Sequence, residues 1–207
     1  MSLRREQARA TRVRIVHAAT EVFERVGFDG ARIDDIAAAA GVAVATVYKV
    51  FANKRTLLKE AIAAAVTGDG EGPVEDLPWF REQLDEPSAE QQLRLIARNA
   101  RAMCERSALL LEAARVARNP EIDAVLRDLD DKRRLRSEIS AERLAAKAPL
   151  RVPTSVAART LWALTAQELY VLQVNRSTLT PLDYERWLAD LLATALLTRR
   201  PTTGNAR

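Results

Sequence analysis

Few residues in this chain are equipped for covalent chemistry. The single histidine, His17, falls on the polar side of a helical stretch with no Ser or Cys beside it. The single cysteine, Cys104, has no partner for an internal disulfide, and no Cys/His cluster shows metal-ligand spacing. The carboxylates Asp34 and Asp35 sit at a helix start, where acidic residues are ordinary complements to the dipole. An enzyme is therefore not expected, nor a metal or cofactor. Chemistry of another kind is concentrated in RIDDIAAAAGVAVATVYKVFANK, residues 32–54. Lys49 is a candidate for reading a guanine through O6 and N7, with a solvated lysine or a plain phosphate contact as the alternative. Val44 and Ala45 offer apolar contact to thymine methyls. Val44, Val47 and Phe51 also form an i, i+3, i+7 stripe, which would instead bury Val44. Lys54 opens the next helix, adding a cation to a dipole end already favourable for phosphate.

Two short helices must position this set. Ile33, Ile36, Ala37 and Ala40 recur at helical spacing, and Gly41 admits a backbone angle that residues with a Cβ adopt only at a cost. Val42 continues the apolar face, and residues 45–51 have room for about two more turns. Helix, glycine-containing turn, helix is the helix-turn-helix pattern, whose second helix can enter a DNA major groove. Thr46, Tyr48 and Lys49 fall on or near the outward face of that helix. Upstream, Ile15, Val16, Ala19, Val22, Phe23 and Val26 make one face of a helix starting near Thr11 and ending at Gly27, with Phe28 as the following hydrophobic contact. Phe23, Ile36, Val42, Val47 and Phe51 are expected to bury three helices against one another, with Ala37 and Ala40 small enough for close crossing. Ahead of them Arg4, Arg5, Arg9, Arg12 and Arg14 face a single Glu6. Such an arm can follow phosphates or a minor groove, and a frayed, solvated terminus is the alternative.

The chain has 207 residues, 48% of them hydrophobic, enough for a core and suited to one globular domain or to a small domain joined to a larger one. Ala, Leu, Arg and Glu dominate with little period-two alternation, so an all-α chain is expected. Residues 1–67 hold eleven Lys or Arg against seven Asp or Glu, whereas the remainder holds twenty-one of each. The whole excess of +4 thus accompanies the helix-turn-helix, as an anionic partner requires. A lone cysteine, no signal-peptide core and no apolar run near the ~20 residues of a membrane span fit a cytoplasmic protein without a membrane partner.

With these residues placed, TRVRIVHAATEVFERVGFDGARIDDIAAAAGVAVATVYKVFANKRTLLKEAI resembles the N-terminal domain of the tetracycline-repressor (TetR) family of bacterial transcription regulators. The match runs through Ala18, Ala19, Phe23, Gly27, Phe28, Ile36, Ala37, Gly41, Val42, Thr46, Tyr48, Phe51, Lys54, Leu57 and Leu58. The resemblance implies that Thr46, Tyr48 and Lys54 hydrogen-bond phosphates, which fixes register without reading sequence. On that basis Lys54→Ala should weaken binding to all sequences and flatten its salt dependence. Two positions depart from the family pattern. Ala43 stands where Ser usually caps the second helix, at a cost of ~0.5–2 kcal/mol of helix stability. Arg32 stands where Ser or Thr usually enters the first, losing a cap and gaining a possible phosphate contact.

Beyond Lys54, a helix continues to about Val66, and Gly68 to Asp76 read as an exposed acidic loop. Ser88 and Gln91 resemble a capping box that starts a helix running beyond Cys104, and Glu121 to Ala146 is charged and helical. In that stretch the charges of residues 130–134 read as a solvated face. One helix follows from Thr154 through Val174 and another from Pro181, with Pro in its first turn. The expected organisation is a three-helix DNA-binding head at 1–53, a larger helical effector-binding and dimerisation body at 54–201, and a flexible tail at 202–207. By resemblance the last two helices pair with their copies to hold a homodimer on a palindromic double-stranded operator, which two-fold symmetry independently favours. Their apolar strips filling only the monomer's own core is the alternative. The resemblance also implies a cavity for a small effector. Trp79, Phe80, Met103, Leu110, Trp162 and Tyr170 are bulky enough to line one, with Glu168 or Arg115 as a polar anchor. The resulting reading is a homodimeric repressor released from DNA by a small molecule. A helix-turn-helix regulator without an effector is the nearest alternative, and an all-helical enzyme a remote one.

Overall fold

A computed structural model describes residues 3–68, 72–117 and 119–198. The proposed tail at 202–207 and Asp69, Gly70 and Glu71 of the acidic loop lie outside them. The described chain is helical, with one isolated antiparallel bridge, Leu150 to Leu197, as its only extended pairing. It forms two compact units, Met1–Gly72 with Met103–Leu129, and Pro73–Ala102 with Asp130–Arg207.

The first unit begins with α1, Leu3–Gly30. The helix starts eight residues before Thr11 because the arm is made of Arg, Glu, Gln and Ala, which favour helix, and contains no breaker. Thr11 does not cap it: its hydroxyl donates to the Gln7 carbonyl four residues back, at 2.9 Å. Ile15, Ala18, Ala19, Val22 and Phe23 face the core. At Gly27 the backbone leaves helical geometry (φ 73°, ψ 173°), and Phe28 folds back to stack on Phe23, ring centroids 5.9 Å apart. Next comes α2, Ile33–Ala40, closed by Gly41 at φ 64°, whose N–H donates to Ala38 at 3.1 Å.

Helix α3, Val44–Val50, is seven residues long and has no side-chain N-cap at Ala43. Packing must hold it, since so short a helix is marginal alone. Val47 and Phe51 supply that packing, both essentially inaccessible, while Val42 is only half-buried. Helix α4, Lys54–Thr67, is capped by Asn53, whose Oδ1 accepts from the Thr56 amide at 2.9 Å. Leu57, Leu58, Ala61 and Ile62 close the core from this side.

Two long helices contribute to both units: α6, Ala89–Val116, and α7, Pro120–Ala145. In the first unit they bring Leu110, Leu111, Ala114 and Ile122 into the core, and Arg106 Nε donates to the Ala65 carbonyl at 3.1 Å.

The second unit opens with a 3-10 turn, Val74–Asp76, and α5, Pro78–Asp85. Between α5, α6 and α7 lies a buried polar lattice. Gln83 donates to Ser140 Oγ at 3.1 Å and Gln92 to the Ser140 carbonyl at 3.1 Å. Lys147 donates to Gln92 Oε1 at 2.7 Å and to the Leu84 carbonyl at 2.8 Å, and Asn99 to Gln83 Oε1 at 3.1 Å. Burial holds the Lys147 ammonium below the usual lysine range.

Three further helices follow: α8, Thr154–Leu164; α9, Gln167–Tyr170, running on as a π turn, Val171–Asn175; and α10, Pro181–Leu196. The single helix expected from Thr154 to Val174 is thus interrupted. Thr165 and Ala166 leave helical geometry, so the Ala166 amide bonds to Ala163 at 3.4 Å instead of to Trp162. The Trp162 carbonyl is taken by the Arg133 guanidinium from α7. Tyr184, Leu188, Leu192 and Leu196 form the buried stripe of α10 against Ala157, Ala158 and Leu161 of α8.

Candidate nucleic-acid interface

The face that α3 turns away from the core follows from its length and its two anchors. With Val47 and Phe51 directed inward, helical spacing sends Ala45, Tyr48 and Lys49 outward, and all three are exposed. Tyr48 is 51% exposed, unusual for a residue with a large aromatic ring, which in a core would bury most of its area. Val44 and Thr46 are half-buried on the two margins. Val44 therefore neither joins the sealed core with Val47 nor stands clear of it.

Arg32 occupies the N-cap position of α2 in extended conformation and makes no capping bond. Its guanidinium lies 3.4 Å from Asp34 Oδ2, at the long end for a charged pair and solvent-exposed on both sides. Lys54 is placed differently. It is half-buried, and its ammonium points back toward the end of α1, 2.7 Å from the Phe28 carbonyl and 2.9 Å from that of Ala31. The arm divides in the same way. Arg12 pairs with Glu60 at 2.7 Å and lies over the Phe51 ring at 4.6 Å, so it braces α1 against α4, while Arg4, Arg5 and Arg14 are exposed. The bracing role of Arg12 left no trace in the sequence, because Glu60 and Phe51 are reached only through the fold.

The eight residues considered for an effector cavity fall in both units. Met103, Leu110 and Arg115 belong to the first, and Trp79, Phe80, Trp162, Glu168 and Tyr170 to the second. Leu110, Phe80 and Tyr170 are buried in packing, and Tyr170 meets Tyr184 edge-on at 5.0 Å. Trp79 meets Phe80 edge-on at 5.9 Å, and its carbonyl accepts from Asn99 at 3.3 Å. Met103 is half-buried, whereas Arg115 and Glu168 are exposed. Trp162 lines an open cleft of about 440 Å³ between α7 and α8, together with Arg134, Glu138, Glu142, Ser155 and Arg159.

Two guanidiniums flank the Trp162 ring, Arg134 at 4.7 Å and Arg133 at 5.1 Å, and its indole N–H donates to Asp130 at 3.1 Å. Burial opposes ionisation of Asp130, but the bonds from Arg133 and Trp162 and the two arginine charges outweigh it and hold the carboxyl below its usual range. The expected solvated charge run on α7 is thus partly drawn into a cluster with α8. Among the described residues no group of His, Cys, Asp or Glu comes together that could hold a metal ion. No described helix is long and apolar enough to cross a membrane.

Residues 15–61 match the sequence model of bacterial regulatory proteins of the tetR family. No curated protein matches the chain. Solved structures share its fold over nearly their whole length. NalD of Pseudomonas aeruginosa, the secondary repressor of the MexAB-OprM multidrug efflux pump, is 21% identical, with 94% of this chain and 100% of that one aligned at a TM-score of 0.69. A transcriptional regulator from Saccharomonospora viridis in complex with choline is 20% identical, over 91% and 98% of the two chains, at 0.68. A tetR-family regulator from Mesorhizobium loti is 18% identical over 92% and 98%, at 0.66.

Proposed function

We infer, from the membership of the tetR family of bacterial regulatory proteins that its head establishes, that this chain is a sequence-specific DNA-binding repressor that works as a homodimer in the cytoplasm. Residues 1–53 bind an operator, and residues 54–201 hold the two copies together and receive a small organic effector. The observation that carries this reading is the division of α3 into an inward Val47–Phe51 anchor and an outward Ala45, Tyr48 and Lys49. In it, Lys49 reads a base. Thr46, Tyr48 and Arg32 hold phosphates, and Ala45, with the marginal Val44, meets thymine methyls.

A dimer on a palindrome supplies the contact that one seven-residue helix lacks. Effector binding lowers operator affinity only through a difference in affinity between two states of the protein. Choline in the Saccharomonospora viridis structure supports a small organic molecule as the class of effector. Burial of Phe80, Leu110 and Tyr170 in packing favours the second reading, a regulator with no effector.

Footprinting the purified protein on the DNA flanking its own gene tests the first claim, and a compound screen for release tests the second. A sharply protected palindrome that some compound uncovers is the expected result. Absence of sequence-specific protection at moderate salt sinks the regulator reading, and protection that no compound alters sinks the effector.

A further inference from the structure

The C-terminal turn of a helix leaves carbonyl oxygens without helical partners and concentrates the negative end of the dipole. At the end of α1, the kink at Gly27 gathers three such oxygens around one point. Lys54 Nζ lies there, 2.7 Å from Phe28 O, 2.9 Å from Ala31 O and 3.5 Å from Asp29 O, the last at the limit of a hydrogen bond. It also lies 4.5 Å from the centroid of the Phe28 ring, which is stacked on Phe23. An ammonium has three donors and no acceptor. The donors are directed at carbonyls of the protein itself, and the side chain is half-buried. Phe28 O and Ala31 O hold two of the donors at ordinary distance, so a phosphate oxygen would have to compete with them or take the third donor from the more distant Asp29 O.

The position of this cluster gives it a consequence beyond local satisfaction. Ala31 is followed by Arg32, the N-cap of α2, and α2 leads through the Gly41 turn into α3. Lys54 is itself the first residue of α4. We propose that Lys54 is a positioning residue: its ammonium ties the Phe28–Ala31 loop to the start of α4 and so fixes how α2 and α3 are presented, without contacting a phosphate. The functional half of this statement rests on the DNA-binding reading above. The tie itself does not.

Full-length wild type, K54M and K54R separate the two roles. Hydrogen exchange in the free protein should show the amides of residues 28–36 opening about tenfold faster in K54M, as a locally loosened segment does. Binding is read by titration across a salt series, on the duplex protected in the footprint and on a mixed-sequence control. For K54M, affinity for the protected duplex should fall about tenfold, roughly one lost base contact. The control duplex should bind almost as before, and the slope of log K against log salt should be unchanged. K54R should not restore affinity, because a planar fork cannot aim at three carbonyls converging on a point, although it is the better phosphate ligand.

A slope reduced by about 0.9, with both duplexes weakened alike and K54R restoring them, would show a phosphate contact and overturn the proposal. Unchanged exchange at residues 28–36 would overturn it too, as would lower thermal stability with unaltered affinity. Should K54M leave the head unfolded at the assay temperature, K54R exchange and slope decide alone. If the wild type binds both duplexes equally, the regulator reading fails while the exchange result still judges the tie.

Discussion

Two glycines in the head adopt positive φ for different backbone shapes, and substitution should distinguish them. A Cβ built at Gly27 or at Gly41 meets no atom within 4 Å, so neither change costs a clash. What remains is the conformation. Gly41, at φ 64° and ψ 39°, is in the left-handed helical region. An L-residue there costs about 1–2 kcal/mol, partly offset by about 0.4–1 kcal/mol from the stiffer unfolded chain. Gly27, at φ 73° and ψ 173°, lies in a region that is essentially glycine's alone, where strain runs to about 3 kcal/mol. Gly41→Ala should therefore cost about 1.6 kcal/mol at most and Gly27→Ala about 2–2.6 kcal/mol, at about 4–8 °C per kcal/mol for a unit near 100 residues.

Asparagine sharpens the contrast, since it tolerates the left-handed helical region but not the other: Gly41→Asn should be nearly silent and Gly27→Asn as costly as alanine. The assay uses the placement of the tryptophans. Trp79, Trp162 and Trp187 all belong to the second unit, so fluorescence follows that unit while far-UV circular dichroism follows both. Gly27 variants should lose part of the dichroism well before the fluorescence changes. Equal costs at the two glycines, or a neutral Gly27→Ala, would refute the reasoning.

Lys49→Ala should relax preference at one base pair by about 1–3 kcal/mol if its contact is bidentate, measured by competition among operator variants. Identical losses on cognate and scrambled DNA would remove Lys49 from the reading role. Asp130→Asn tests the α7–α8 cluster. The Asp130 carboxyl is held below its unfolded value, so its contribution is present above the ordinary carboxylate range and is lost as pH falls through the depressed value. The variant should unfold at lower temperature than wild type at neutral pH, with the gap closing in acid. A gap that does not depend on pH would mean that the charge contributes nothing.

The head was readable in the sequence because its signals are local. Gly27 breaks α1 and Gly41 closes α2 at the residues where helical spacing runs out, and Phe23, Ile36, Val47 and Phe51 are buried as their spacing requires. Where a feature depends on residues far apart, the sequence was silent. Lys54 opens α4 where the sequence places it, and only the fold brings its ammonium to Phe28 and Ala31. Arg133 and Asp130 read as surface charges, and Trp162 joins them from some thirty residues away. The interruption at Thr165 and Ala166 carries no Gly or Pro to announce it, and the early start of α1 was hidden because its polar residues show no apolar period.

The buried amides between α5, α6 and α7 restrict how the second unit can change shape. An oily seam could slip by a helical turn, about 5.4 Å, and find new neighbours of equal quality. Here such a slide would strand the buried donors of Gln83 and Gln92, at about 1–3 kcal/mol for each buried group left unmatched. These three helices are keyed to one register. Any change of shape in this unit must then be sought in α8, α9 and α10, where the chain is already broken once and underwound into a wide turn.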